Sequence, residues 1–145
     1  MKRSVVVAGI LAIGVTAAFA QQADVIAERQ KLMKENADHS RTIGAMLKDQ
    51  APFDLSKVQS ALKTFAHTGK EAHVLFPDNS KDGKSKAMPT VWEKKGEFEA
   101  LLSKFEKDSQ EALVAVKDEA SFKAEMPKVL QNCGTCHKTF RQPVG

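Results

Sequence analysis

The chain is 145 residues long, 42% hydrophobic and 28% charged, with a formal net charge of +4 and two cysteines. That length suits one domain and leaves no room for a second core. The 22 basic residues include Lys2 and Arg3 in a removable leader; without them the excess over 18 acidic residues is +2, so the pI of about 9.1 does not argue for a nucleic-acid or membrane-surface binder.

Residues 1–20 read as a secretory signal. Lys2 and Arg3 form the basic start, Val5 to Val15 the apolar stretch, and Ala18-Phe19-Ala20 an A-x-A cleavage site. The apolar run is shorter than the roughly 20 residues that span a bilayer, and it ends in small residues instead of charges. The expected mature chain is the 125 residues from Gln21 onward, working outside the cytoplasm, most simply in a bacterial periplasm, and not inserted in a membrane.

The first amphipathic helix is expected over residues 24–48. Ile26, Met33, Ala37, Ser40, Gly44 and Leu47 fall on one stripe, widened by Val25, Leu32, Ile43 and Met46. Ala37, Ser40 and Gly44 are small enough to admit either a bulky cofactor or a closely packed helix. After a break at Pro52, Asp54 is a candidate N-cap for a second helix reaching about Leu75, with Leu55, Val58, Leu62, Phe65 and Gly69 on its stripe. Residues 77–89 form the one long connection, polar apart from Met88 and expected to be exposed and mobile. Its Lys81, Lys84 and Lys86 fit either a solvated loop or a patch for an acidic redox partner.

Thr90-Val91-Trp92-Glu93 has the spacing of a capping box and is expected to open the third helix. Val91, Phe98, Phe105 and Ala112 then recur every seven residues, so this helix should pack along its whole length. The fourth is expected over residues 118–141, with Phe122, Met126, Val129, Cys133, His137 and Phe140 pointing inward and Pro127 inside it. Four amphipathic segments and no alternating pattern of period two predict an all-α fold: an antiparallel up-and-down four-helix bundle.

Both cysteines lie in Cys133-Gly134-Thr135-Cys136-His137. C-x-x-C-H is the signature of covalent haem c attachment, each thiol forming a thioether and the histidine ligating iron. A redox dithiol would normally open a helix after a strand, and a zinc site would have to recruit two more ligands from afar. One covalent haem c on Cys133 and Cys136, with His137 on the iron, is therefore the reading. Its two propionates would bring the net charge near zero. For the opposite face of the iron the candidates are Met33, Met46, Met88, Met126, His39, His67 and His73. Met126 shares a helix with His137, Met88 lies in the loop, His39 is off the stripe of the first helix, His73 is near the end of the second, and each histidine is more often a surface residue than a ligand. Met33 has the right place on the first helix, yet a buried methionine is usually gap-filling core.

Here the chain resembles the class II cytochromes c, four-helix bundles with the haem motif near the C-terminus. The resemblance spans nearly the whole mature chain and rests on residues 133–137 followed by Phe140-Arg141, and on Arg29-Gln30-Lys31-Leu32-Met33-Lys34. In the cytochrome c prime branch the position of Met33 is apolar and the iron is five-coordinate; in the cytochrome c-556 branch it is methionine and the iron is low-spin. The second branch is the one implied, with Met33 and His137 as iron ligands. The resemblance also suggests Arg29 as a partner for a haem propionate and Arg141 as a charge beside the proximal face, positions where the residue types alone equally allow solvated arginines. The function implied is electron transfer without enzymatic chemistry, in a monomer or homodimer whose redox partners are unidentified. The rival is a five-coordinate protein that binds or senses small gases; a haem-free helical metal-binding protein ranks third.

Overall fold

The computed structural model describes residues 11–81 and 84–143, with side chains from residue 22 onward. Four long helices, α1 (Leu11–Leu47), α2 (Leu55–Glu71), α4 (Lys95–Ala115) and α5 (Glu119–Phe140), form an antiparallel up-and-down bundle; α3 (Thr90–Glu93) is a single turn ahead of α4. α2 lies closely along α4 and α4 along α5, whereas α1 and α5 barely touch. That splayed pair leaves a cleft.

Local chemistry fixes the helix ends. α1 stops where Asp49 turns left-handed (φ 57°): the Asp49 amide donates to the Met46 carbonyl and the Gln50 amide to that of Ala45 (2.9 Å), which uses up carbonyls the helix would otherwise leave bare. Asp54 caps α2 as expected, its carboxylate accepting from the Lys57 amide at 3.1 Å. The true capping box belongs to α5, where the Ser121 amide donates to Asp118 (2.8 Å) and the Asp118 amide to the Ser121 hydroxyl (3.1 Å). α2 and α4 approach so closely at Gly69 that an added Cβ would lie 2.7 Å from the Glu106 backbone nitrogen.

Three expectations need correction. Backbone helix is already present at Leu11, the first described residue, and not only from near Asp24, so it includes part of the stretch read as a signal; residues 1–10 of that stretch lie outside those described. The Thr90 capping box does not form. The Thr90 hydroxyl instead donates to the Thr139 carbonyl (2.7 Å), and the chain breaks at Lys94 (φ −118°, ψ 44°) before α4 resumes. The described residues of the connection after α2 are fastened, not loose. Ser80 is fully buried, the Trp92 indole donates to the Phe76 and Pro77 carbonyls (3.1 Å each), and Ala87 pairs with Arg141 in a short antiparallel bridge.

The interior divides in two. The larger core, at the end away from the cleft, joins Ile43, Met46, Val58, Leu62, Phe65, Phe105, Phe122, Met126 and Val129. The smaller joins Ala72, Val91, Phe98, Leu102 and Phe140. Cys133 packs against the first and Cys136 against the second.

Candidate functional site

α1 presents two adjacent faces to the interior. Leu32, Ile43 and Met46 are buried against protein, while Ile26, Met33, Ala37 and Ser40 line the cleft between α1 and α5. Met33 is 36% exposed, so the expected placing of its side chain within the protein core is corrected: it belongs to the cleft wall. The cleft consists of two adjoining hollows of about 440 and 210 Å³ that share Met33, Ala37, Leu102, Cys136 and His137. Ile26, Phe76, Val91, Phe98 and Phe140 complete the apolar walls of the larger one. Gly44 lines neither hollow, and a Cβ added there would meet nothing within 4 Å.

Cys133, Cys136 and His137 reach this space because α5 runs unbroken from its Asp118 cap through Pro127 to Phe140. All three are half-buried. Burial, together with the charge of nearby Arg141, pulls the His137 pKa below its ordinary value and favours the neutral imidazole that can donate a lone pair. Burial pushes both thiols the other way, that of Cys136 up to about 11. A redox dithiol or thiolate metal site requires the opposite shift. Among the described residues no cluster of three or more His, Cys, Asp or Glu side chains is placed to hold a metal ion. The donor set at hand is thus an imidazole on one wall, a thioether on the other, and two protonated thiols beside the imidazole. That set, in an apolar slot, fits a large flat iron-bearing ring.

Arg29 enters the same cleft from α1. It is only 6% exposed, its Nε donates to the Leu75 carbonyl (2.5 Å), and its terminal nitrogens donate to the Ser80 carbonyl (3.2 Å) and hydroxyl and to the Ser85 hydroxyl (3.4 Å). The guanidinium carbon stands 4.2 Å from the Phe76 ring centre and 5.8 Å from that of Trp92. Burial lowers its pKa to about 10, which leaves it cationic at neutral pH. No carboxylate among the described residues pairs with it. A buried, oriented cation facing neutral partners is a prepared seat for an anion.

The other candidates for the second axial position are elsewhere. Met46 and Met126 are in the larger core, and the Met88 backbone amide donates to the Phe140 carbonyl (3.0 Å) in the strand-like bridge. His39 meets the Thr64 hydroxyl (3.2 Å) and the edge of Phe65; His73 meets the Ser103 hydroxyl (3.4 Å); His67 is exposed. Sequence reasoning missed the cage around Arg29, since Ser80 and Ser85 stand in a polar run that looks solvated. It also missed the buried amides flanking the smaller hollow: Asn36, which accepts from the Thr68 hydroxyl (3.1 Å), and Asn132, which donates to Asp108 (2.8 Å).

Comparison with known proteins bears on this geometry. The family model described as cytochrome c′ matches residues 24–141. The chain is 37% identical to cytochrome c-556 of Rhodopseudomonas palustris over the full length of both, and 40% identical to cytochrome c′ of the same organism over 96% of this chain and 95% of that one. It is also similar to a solved structure of R. palustris cytochrome c′, with a TM-score of 0.81, 40% identity and coverage of 84% of this chain and 98% of that one.

Proposed function

The chain belongs to the cytochrome c′ family and binds haem c covalently, and from that premise we propose that it is a periplasmic carrier of single electrons with low-spin iron held between His137 and Met33. Cys133 and Cys136 supply the thioether links. The haem iron provides the one-electron couple. Identity alone does not choose between the branches, since relatives named c-556 and c′ are almost equally similar. The observation that carries the choice is that Met33 and His137, on opposite helices, line the same two hollows.

The chain's own residues have limited tasks in this reading. His137 and Met33 would hold the iron and would leave no place on it for a substrate. The thioether is a soft donor that favours the reduced state, so Met33 raises the reduction potential relative to a second histidine. Phe98 and Phe140 would keep water from the ring, and Arg29 would receive a propionate in its prepared seat. No general acid, base or nucleophile is required. No helix among the described residues is long and apolar enough to cross a membrane, and the leader at residues 1–20 accounts for export.

The smaller hollow favours a second reading. Asn36, Thr68 and Asn132 line it with polar groups beside Met33 and His137, the surroundings that a small diatomic ligand would find if Met33 stood aside. Optical spectra of the purified holoprotein decide between the two. Electron carriage with Met33 ligation predicts low-spin iron in both oxidation states, a weak far-red sulfur-to-iron band when oxidised, and poor binding of carbon monoxide. Met33→Ala then turns the iron high-spin or aquo-ligated, admits small ligands and lowers the potential. A wild type already high-spin and quick to take up carbon monoxide places the protein in the gas-binding reading.

A further inference from the structure

Cations held on three separate elements converge on the mouth of the larger hollow. Lys34 follows Met33 on α1, Arg141 stands one turn beyond His137 at the end of α5, and Lys86 precedes the residue that pairs with Arg141. The backbone fixes them relative to one another: the Gln142 amide donates to the Lys86 carbonyl (2.8 Å), and the Gln30 side chain ties the loop to α1 through the Lys84 carbonyl (3.0 Å). All three side chains are exposed, and none is ion-paired among the described residues. Several lysines elsewhere are taken up by neighbouring carboxylates, as with Lys31 and Glu28 (3.3 Å), Lys94 and Glu97 (3.6 Å) or Lys128 and Glu125 (2.9 Å), while others such as Lys48 and Lys117 are unpaired among the described residues but stand far from the hollow. Lys81 is paired, with Asp78 at 3.7 Å, so the loop's own lysines do not act as one patch. No aspartate or glutamate lines either hollow. With Arg29 counted, four cations line this hollow, so the two negative charges that haem propionates would bring leave the balance positive.

We propose that this mouth is a docking face for an acidic redox protein, one that presents carboxylates around its own redox centre, with Lys34, Lys86 and Arg141 as the steering charges. The proposal rests on the electron-carrier reading. Charges of one sign around an apolar opening raise the encounter rate with partners of the other sign and orient them, and salt screens the effect. The cations stand on the hollow that Cys136 and His137 also line, so a partner held by them would meet the site from that side.

The test measures oxidation of the ferrous holoprotein by hexacyanoferrate(III): one electron leaves the haem iron, hexacyanoferrate(II) forms, and no bond is made or broken. Raising the salt from about 0.01 M to about 1 M shortens the screening length from about 30 Å to about 3 Å. The wild-type rate should fall about tenfold or more over that range. Lys34→Glu/Lys86→Glu should be slow already at low salt and lose the salt dependence, while Lys48→Glu/Lys117→Glu, an equal charge change at the opposite end of the bundle, should keep it. Poly-L-glutamate at low salt should slow the wild type and the distal double variant and spare the rim double variant. Equal behaviour of the two double variants, or a wild type indifferent to poly-L-glutamate, overturns the docking face and leaves electron carriage standing. A holoprotein that passes no electron to hexacyanoferrate at any salt removes the electron-carrier reading and the docking face together.

Discussion

At the end of the bundle away from the cleft, Phe65 and Phe122 are wholly buried, against Phe105 (ring centres 5.6 Å apart) and Phe53 (5.4 Å) respectively. At the other end, Phe98 touches Phe76 (4.7 Å) and Phe140 (5.3 Å) on one side and faces the cleft on the other. Around Phe65 and Phe122 the first core is complete in protein alone, and only its edge at Phe105 and Cys133 borders the smaller hollow. The second is half a core, shaped to take a rigid apolar partner as its other half. This explains why the two cysteines straddle the division, Cys133 on the complete core and Cys136 on the incomplete one. The stable end positions one point of attachment, and the cofactor then finishes the rest.

If that contrast is correct, deletions of equal chemistry have unequal effects. Phe122→Ala should cost about 3 to 5 kcal/mol in the apoprotein and the holoprotein alike, because a closed core has no second occupant to fill the cavity. Phe98→Ala should cost clearly less in the apoprotein, where one face of the ring has few partners, and should alter the optical spectrum and the potential of the holoprotein, which Phe122→Ala leaves alone. Chemical denaturation of both forms, read beside their spectra, makes the comparison. Equal losses in the apoprotein would mean that the cleft end is as complete as the other.

A somewhat smaller effect is expected at the α2–α4 crossing, where the helices must meet closely if they are to support both ends. Gly69→Ala places a methyl 2.7 Å from the Glu106 backbone nitrogen and 2.8 Å from its Cα, atoms that move only with the helix. Overpacking of this kind costs about 1 to 3 kcal/mol. The loss should appear in thermal unfolding with the haem spectrum nearly unchanged, whereas Gly134→Ala, with nothing within 4 Å, should leave the unfolding midpoint almost unmoved.

The same division marks what was legible in the sequence. Val58, Leu62, Phe65 and Gly69 on α2 are all buried, because that stripe serves protein packing alone, and Val91, Phe98, Phe105 and Ala112 along the third segment are buried as well, although Val91, Phe98 and Phe105 also border the cleft. α1 was harder to read since its apolar residues divide between two surroundings. Leu32, Ile43 and Met46 go to the core, Met33 and Ala37 to the cleft, and a single helical period runs through both sets. The haem motif was legible outright because its chemistry is local to five residues. Arg29 was not legible from residue type: an arginine is expected in solvent, and its burial depends on Phe76, Ser80 and Trp92, which lie 47 to 63 positions away and come together only in the fold. The Thr90 capping box failed for a similar reason, since the Thr139 carbonyl at the end of α5 takes the hydroxyl that the motif assigns to the helix start.

The smallest expected effect lies on the seam between the two regions, where Asn132 precedes Cys133. Its amide donates to Asp108 (2.8 Å) and to the Val129 carbonyl (3.1 Å), while Asp108 also takes the Lys104 ammonium. Burial by itself raises the Asp108 pKa, but the hydrogen bonds from Lys104 and Asn132 outweigh it and hold the carboxyl below its ordinary value of 3.8. A carboxyl whose pKa is lower folded than unfolded adds stability that is complete above the unfolded value and disappears as the pH falls through the folded one. Asp108→Asn should therefore reduce stability at neutral pH by a modest amount, about 0.5 to 1 kcal/mol for a partly exposed pair, and the gap to wild type should close in acid below pH 3.8. Thermal unfolding of both proteins across that range tests it. A gap that persists unchanged in acid would assign the loss to the geometry of the Asn132 hydrogen bond, and one that widens would contradict the direction of the shift.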